Sequence, residues 1–339
     1  RIIMLEIFLE YGLFLLKVIT ILISVIVLIS FIAASKKSSS AEGLEIENLN
    51  DKYKGLSDSL NKAVMEKDEW KKKQKAQKVT AKKNKKRKIR KPKAYILDFI
   101  GDIKASAVPS LREEVTAILD IAKRNDQIVL RLDNHGGVVH EHGLAASQLA
   151  RIRQKKIYLT VVVDKVAASG GYLMASVANK IYAAPFAILG SIGVIAQLPN
   201  FNRLLDNYGI DFEQITAGQY KRNVTMFGKN TDEDREKLKD QLEEIHELFK
   251  SSVNEYRPQL DLEKVATGEH WYGTKALELG LIDEIKTSDE LLIEMSKKYD
   301  IFSVSLKIKK PFKKRLMSNI DSLLEKVDDI RWKRRFETK

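Results

Sequence analysis

The sequence predicts an α/β domain on a largely parallel sheet, placed behind an apolar N-terminal segment and a basic stalk. Three observations lead there. From Ala94 onward, short apolar runs alternate with stretches whose apolar residues fall at helical spacing. Residues 11–35 are almost wholly apolar. The formal net charge of +13 is concentrated in "KKKQKAQKVTAKKNKKRKIRKPK", residues 71–93, so basicity belongs to a segment and not to the fold.

The apolar run carries one charge, Lys17, near its end, where a lysine can snorkel. Residues 18–34, extended back through 12–16, reach the roughly 20 residues that span a bilayer. Glu6 and Glu10 precede the run, where a cleaved signal peptide carries basic residues, and signal peptides have shorter apolar regions. A retained, single-pass anchor over residues 1–35 is expected. Residues 36–93 then read as a charged stalk: a flexible exit, a helix or coiled coil, and the lysine-rich run. That run is either a solvated spacer or a surface for anionic lipid headgroups. It lacks interleaved aromatics, so no nucleic-acid partner is expected.

The expected domain covers residues 94–300, with a basic tail over 301–339. Residues 94–103 form a buried strand candidate. Residues 108–126 follow as a helix with Pro109 just inside its start. A second strand, 127–133, leads into "NHGG"; a helix over 138–156 and a third strand over 157–164 precede Ser169. Short strands or turns are expected at 180–185 and 187–197, a helix at 201–209 and a strand at 212–217. A long amphipathic helix over 231–257 comes next, then a helix, Gly280 and a strand within 272–285.

Cysteine is absent, which excludes disulfides, thiolate nucleophiles and Cys-ligated zinc. Serine hydrolysis needs a nucleophile, a base and donors for the oxyanion. In "KVAASGGYLMAS", Ser169 opens a helix, which leaves the Gly170 N–H free beside it. Gly136 or Gly137 offers a second donor from another loop that follows a strand, and such loops face one crevice. The plain alternative is that Ser169 only caps its helix. Among the histidines, His246 is expected to face solvent. His135, His140 and His142 crowd one loop without the carboxylate or cysteine spacing of a metal site, so no metal or other cofactor is expected. A lysine base must be neutral, which costs roughly 3–5 kcal/mol for a pKa brought near 7 or 8. The residues alone do not say which lysine.

"VDKVAASGGYLMAS", "ILGSIGV" and "TAGQYKRNVTMFG", in this order, resemble the Ser-Lys peptidases of the signal peptide peptidase (SppA) type, closest to its membrane-bound members. The resemblance runs from the anchor to about Ile285. It implies Ser169 as nucleophile, Lys221 as general base and Ser191 as the residue that orients the lysine. It also implies a ClpP/crotonase-like fold of repeated ββα units and a bacterial-type inner membrane location. Substrates would be remnant signal peptides or membrane-protein segments, cleaved in a homo-oligomeric ring whose sites are shared between protomers. Relatives of this type face outward, whereas Lys36, Lys37 and the basic run favour a cytoplasmic stalk. One departure is "DNHGG", which lacks the proline usual before the glycine pair and so fixes the loop less in φ. A crotonase-like acyl-CoA enzyme and a catalytically inactive membrane scaffold are the competing functions.

Overall fold

A computed structural model describes residues 12–25, 43–86, 91–218 and 220–307. Residues 44–306 form one compact unit, and residues 1–43 with 307–339 are grouped as another. Within the latter, residues 12–25 form helix α1. Its hydroxyls return to its own backbone: Thr20 Oγ1 donates to Leu16 O and Ser24 Oγ to Thr20 O, both at 2.8 Å. Among the described residues no helix is long and apolar enough to cross a membrane. The remainder of the expected anchor and the tail beyond residue 307 lie outside the described residues.

The compact unit is α/β. Its strands are β1 (Gly43–Asn48), β2 (Lys93–Gly101), β3 (Gln127–Asn134), β4 (Tyr158–Val163), β5 (Val166–Ala168), β6 (Lys180–Ala183), β7 (Ile188–Gly190), β8 (His270–Tyr272), β9 (Glu284–Ile285) and β10 (Asp300–Lys307). The main path runs β1-β10-β2-β3-β4-β6-β9, and a branch leaves β3 through β5 and β7 to β8. The pairs from β10 to β9 are parallel, as are those along the branch until β7 meets β8 antiparallel.

The apolar runs of the central strands supply both faces of this sheet. Leu97, Phe99, Leu130, Leu132 and Val161 enter one core with helices α4 (Val108–Ile121), α5 (Val139–Gln154) and α6 (Gly170–Ser176). Ile96, Val129 and Val162 enter a second core on α2 (Leu49–Val64) and α11 (Ser288–Lys298). The remaining helices are α3 (Lys67–Lys86), α7 (Asn202–Asn207), α8 (Asp232–Tyr256), α9 (Leu262–Val265) and α10 (Gly273–Glu278). The long charged helix α8 starts at a capping box between Thr231 and Asp234. Its end is held by Arg257, buried, whose Nη1 donates to both Asp283 carboxylate oxygens at 3.0 and 2.8 Å and whose Nη2 donates to Gly280 O at 2.8 Å.

Three segments differ from expectation, one of them the start of the expected tail: residues 301–307 belong to β10, which pairs with β2 and so lies in the domain. Residues 212–217 are not a strand: they have no regular structure, and Ile215 is 95% exposed. Their β-prone residues find no sheet edge, and a strand without a partner leaves its backbone groups unmatched. The start of the expected stalk is integrated into the domain. Leu49 is buried, Asn50 Oδ1 accepts from Ile301 N at 2.6 Å, and Asn50 Nδ2 donates to Ser296 O and Tyr299 O at 3.1 Å.

The C-terminal strand is pinned by a buried acid. Glu114 Oε1 accepts from Leu306 N at 2.7 Å, and burial raises its pKa above the ordinary 4.5, with that N–H opposing more weakly. A raised carboxyl pKa means the native state holds its proton more tightly than the unfolded chain. The contribution to stability is therefore full at low pH and lost as pH rises from the ordinary value through the raised one. Glu114→Gln keeps the acceptor and removes the charge. It is expected to be more stable than the parent at pH 8, with the gain vanishing near pH 4, in urea unfolding at the two pH values. A Gln variant less stable at pH 8 would contradict this.

Candidate active site

The site forms where β3, β5 and β7 end side by side. Register pairs Asn134 with Ala167 and Ala168 with Gly190. The loop after each strand therefore starts at the same level, and the three carry "NHGG", Ser169 with Gly170, and Ser191. Ser169 N donates to Gly190 O at 2.8 Å, which extends the β5–β7 ladder one step beyond the strands.

That bond holds Ser169 at φ 53°, ψ −120°, outside the regions an L-residue prefers. Strain of this kind costs about 1–3 kcal/mol and collects at functional positions. Ser169 occupies the N-cap position of α6, yet its side chain makes no capping hydrogen bond. Ser169 lines a cavity of about 600 Å³. Behind it α6 is anchored by Tyr172, wholly buried, whose hydroxyl donates to Leu281 O at 2.9 Å; burial pushes its pKa well up.

Two glycines line the same cavity as Ser169 and offer backbone N–H groups. Gly170 is the first residue of α6, so its N–H has no acceptor within the helix. A Cβ there would sit 2.5 Å from His142 Cγ, so only glycine fits. Of the two loop glycines, Gly136 has its N–H committed to Asn134 Oδ1 at 2.8 Å. It is packed tightly enough that a Cβ would lie 2.7 Å from Ser169 Cβ and 2.9 Å from Gly170 N. Gly137 lines the cavity with Ser169 and Gly170, and its N–H has no partner among the described residues. The pair of donors available beside Ser169 is thus Gly137 and Gly170.

Asn134 and His142 support this arrangement from behind. Asn134 is fully buried, and its bond to Gly136 N is an Asx turn that fixes the loop without the usual proline. His142 is fully buried as well. Its Nδ1 lies 2.9 Å from Val138 O and its Nε2 3.2 Å from Asn134 Oδ1, so the tautomer decides which acceptor receives the N–H. Asn134 had a legible signal, an Asn two residues before a glycine. The location of His142 against Gly170 had none, because it depends on helix packing. His135 and His140 are exposed. Among the described residues no cluster of His, Cys, Asp or Glu could hold a metal ion. His246, expected in solvent, is half-buried, and its enclosed Nε2 has no partner among the described residues.

Ser191 follows Gly190 and is half-buried at φ 50°, with its N–H donating to Glu269 O. Lys221 is not brought to this group. It is exposed and lines a separate cavity with Leu198, Phe212 and Phe227, and no hydrogen bond joins it to Ser169 or Ser191 among the described residues. The cavity at Ser169 is walled by α5, α6 and α8, mostly through apolar side chains such as Ala146, Leu173, Val177, Ile245 and Phe249.

The family model "Peptidase family S49 N-terminal" matches residues 6–149, and "Peptidase family S49" matches residues 151–301. The chain belongs to peptidase family S49. It is 48% identical over 320 residues to a probable protease SohB of Buchnera aphidicola subsp. Acyrthosiphon pisum, covering 92% of this chain and 94% of that one. A probable protease SohB of Haemophilus influenzae is 45% identical over 314 residues, covering 88% and 89%. Among solved structures, a mutant of the 1510-N membrane-bound stomatin-specific protease aligns with a TM-score of 0.41 at 16% identity, covering 61% of this chain and 85% of that one. The family models and the SohB relatives give the peptidase class.

Two outcomes test the geometry. Ser169→Gly relieves the positive φ that Ser169→Ala keeps, so the glycine variant is expected to be more stable by about 1 kcal/mol. Equal unfolding midpoints would remove the strain. Asn134→Ala releases the Gly136 turn and is expected to lower kcat on a peptide substrate by about 10²-fold, with KM changing less, because a displaced oxyanion donor acts in the transition state.

Proposed function

We propose that the chain is a serine endopeptidase in which Ser169 is the nucleophile and Lys221 the general base. The observation that carries this reading is a strained serine without a capping hydrogen bond that lines an apolar cavity together with Gly137 and Gly170, whose N–H groups have no partner among the described residues. Lys221 takes the hydroxyl proton as Ser169 Oγ attacks the peptide carbonyl. The N–H groups of Gly137 and Gly170 receive the oxyanion, and Gly136 shapes the loop that aims the first of them. Lys221 then gives its proton to the leaving amine, and water hydrolyses the ester with the lysine as base again. Ser191, one step past the β7 residue that holds Ser169 N, orients the lysine.

The exposure of Lys221 supports a site completed between copies of the chain. A lysine acts as base only in the neutral form, which needs a dry surround. The segment that carries it presents Ile195 at 74%, Ile215 at 95% and Tyr220 at 50% exposure, the kind of surface that a second copy covers. A ring of protomers, each lending Lys221 to its neighbour's Ser169, satisfies both needs. The apolar cavity suits apolar side chains beside the scissile bond, such as those of remnant signal peptides or membrane-protein segments. An N-terminal anchor in a bacterial-type inner membrane would keep the enzyme near such substrates. The parallel sheet and its branch agree with a ClpP/crotonase-type fold.

The test mixes two inactive variants. Ser169→Ala and Lys221→Ala are each expected to lose peptide hydrolysis by at least about 10³-fold. Co-assembled, they are expected to recover part of it, since some interfaces then pair an intact serine with an intact lysine. No recovery would place both residues in one protomer. Full activity of either variant alone, or acyl-CoA turnover in place of peptide hydrolysis, would reject the dyad.

A further inference from the structure

We propose that the α2–α3 hairpin is a lipid-contacting element in its own right, one that docks on anionic headgroups. Helix α2 carries one apolar stripe: Leu49, Tyr53, Leu56, Leu60 and Val64 at spacings of three or four. The stripe begins inside the domain, with Leu49 buried beside Ile96 and Met295 and Tyr53 packed partly against them. It then leaves the domain and stays apolar. Leu56 is 65% exposed, Leu60 67% and Val64 76%. A helix that only extended into water would have no use for this continuation.

Helix α3 turns back alongside, and Lys73 Nζ donates to Asn61 Oδ1 of α2 at 3.1 Å. Half of its 20 residues are lysine. Its acidic residues, Asp68 and Glu69, sit in the first turn, where the helix dipole favours them. Lys71 lies 3.7 Å from Asp68, and both side chains are largely exposed. Lys72, Lys73 and Lys75 are exposed too. An uncovered apolar stripe joined to a lysine-rich helix is the composition of an element that lies in a membrane interface.

Charge complementarity selects the occupant. A second copy would bring another lysine-rich helix close to the first, and the like charges repel. Nucleic acid would satisfy the lysines and offer nothing to Leu56, Leu60 and Val64. An anionic bilayer supplies phosphates for the lysines and an acyl boundary for the stripe. This docking does not depend on the Ser169 chemistry or on the first residues spanning the membrane.

The chain has no cysteine, so Val64→Cys in the full-length protein gives a single labelling site. Labelled there with an environment-sensitive fluorophore, the protein is reconstituted in phosphatidylcholine vesicles with and without phosphatidylglycerol. The expected result is a blue shift and a severalfold rise in emission only with phosphatidylglycerol. High salt reverses it, as does the combined variant Lys71→Gln, Lys72→Gln, Lys73→Gln and Lys75→Gln, whose unchanged thermal unfolding verifies its fold. Four results would overturn the proposal: equal emission in both vesicle types, a probe already shielded without lipid, a rise that follows protein concentration without phosphatidylglycerol, or a rise produced as well by duplex DNA.

Discussion

One hydrogen bond organises the site: the Ser169 N–H to the Gly190 carbonyl. It adds a rung to a parallel ladder past the point where β5 ends, and the chain must then turn at once into α6. The result is a serine in a conformation that L-residues avoid, whose side chain makes no capping hydrogen bond to the helix it precedes. The same ladder brings the Asn134 loop to one side and Ser191 to the other. Local turn preference alone does not produce this cluster. It needs three strands held in register: β5 and β7 enter the first core through Ala167 and Leu189, and β3 enters both cores.

The glycines follow from that closeness. Where loop and helix start abut, a Cβ on Gly136 or Gly170 would fall within 3 Å of neighbouring atoms, so the backbone itself becomes the wall of the site. A wall of backbone presents N–H groups in place of side chains, and the ones left over after internal bonding are the donors an oxyanion needs. Asn134 decides which are left over. By accepting from Gly136 it commits that N–H, while the Gly137 N–H has no partner among the described residues, a distinction that counting glycines cannot make.

Much of this was legible in the sequence, and the reasons for the rest are physical. The central strands and α4, α5 and α8 announce themselves because their apolar spacing reflects burial. Ser169 and its glycines stood out because a serine among small residues at a helix start is unusual chemistry in a usual place. The expected strand at 212–217 has the composition of one but no partner, and pairing is a long-range property. The same is true of Asn50, whose side chain holds β10 and α11 and so draws the beginning of the expected stalk into the domain. Lys221 was reachable only through the resemblance, because many lysines compete and none is marked by its neighbours.

The exposed lysine is the point on which the chemistry turns. In the proposed mechanism the base is the one group that a single copy does not bring to Ser169, and Lys221 stands on a surface that a single copy leaves open. The most direct measurement is the rate at which a fluorophosphonate modifies the full-length protein, with the adduct located by mass spectrometry. The adduct is expected on Ser169, and its formation at neutral pH is expected to slow by about 10²-fold or more in Lys221→Ala. An adduct elsewhere, or unchanged modification of Ser169 without Lys221, would contradict the Ser-Lys assignment.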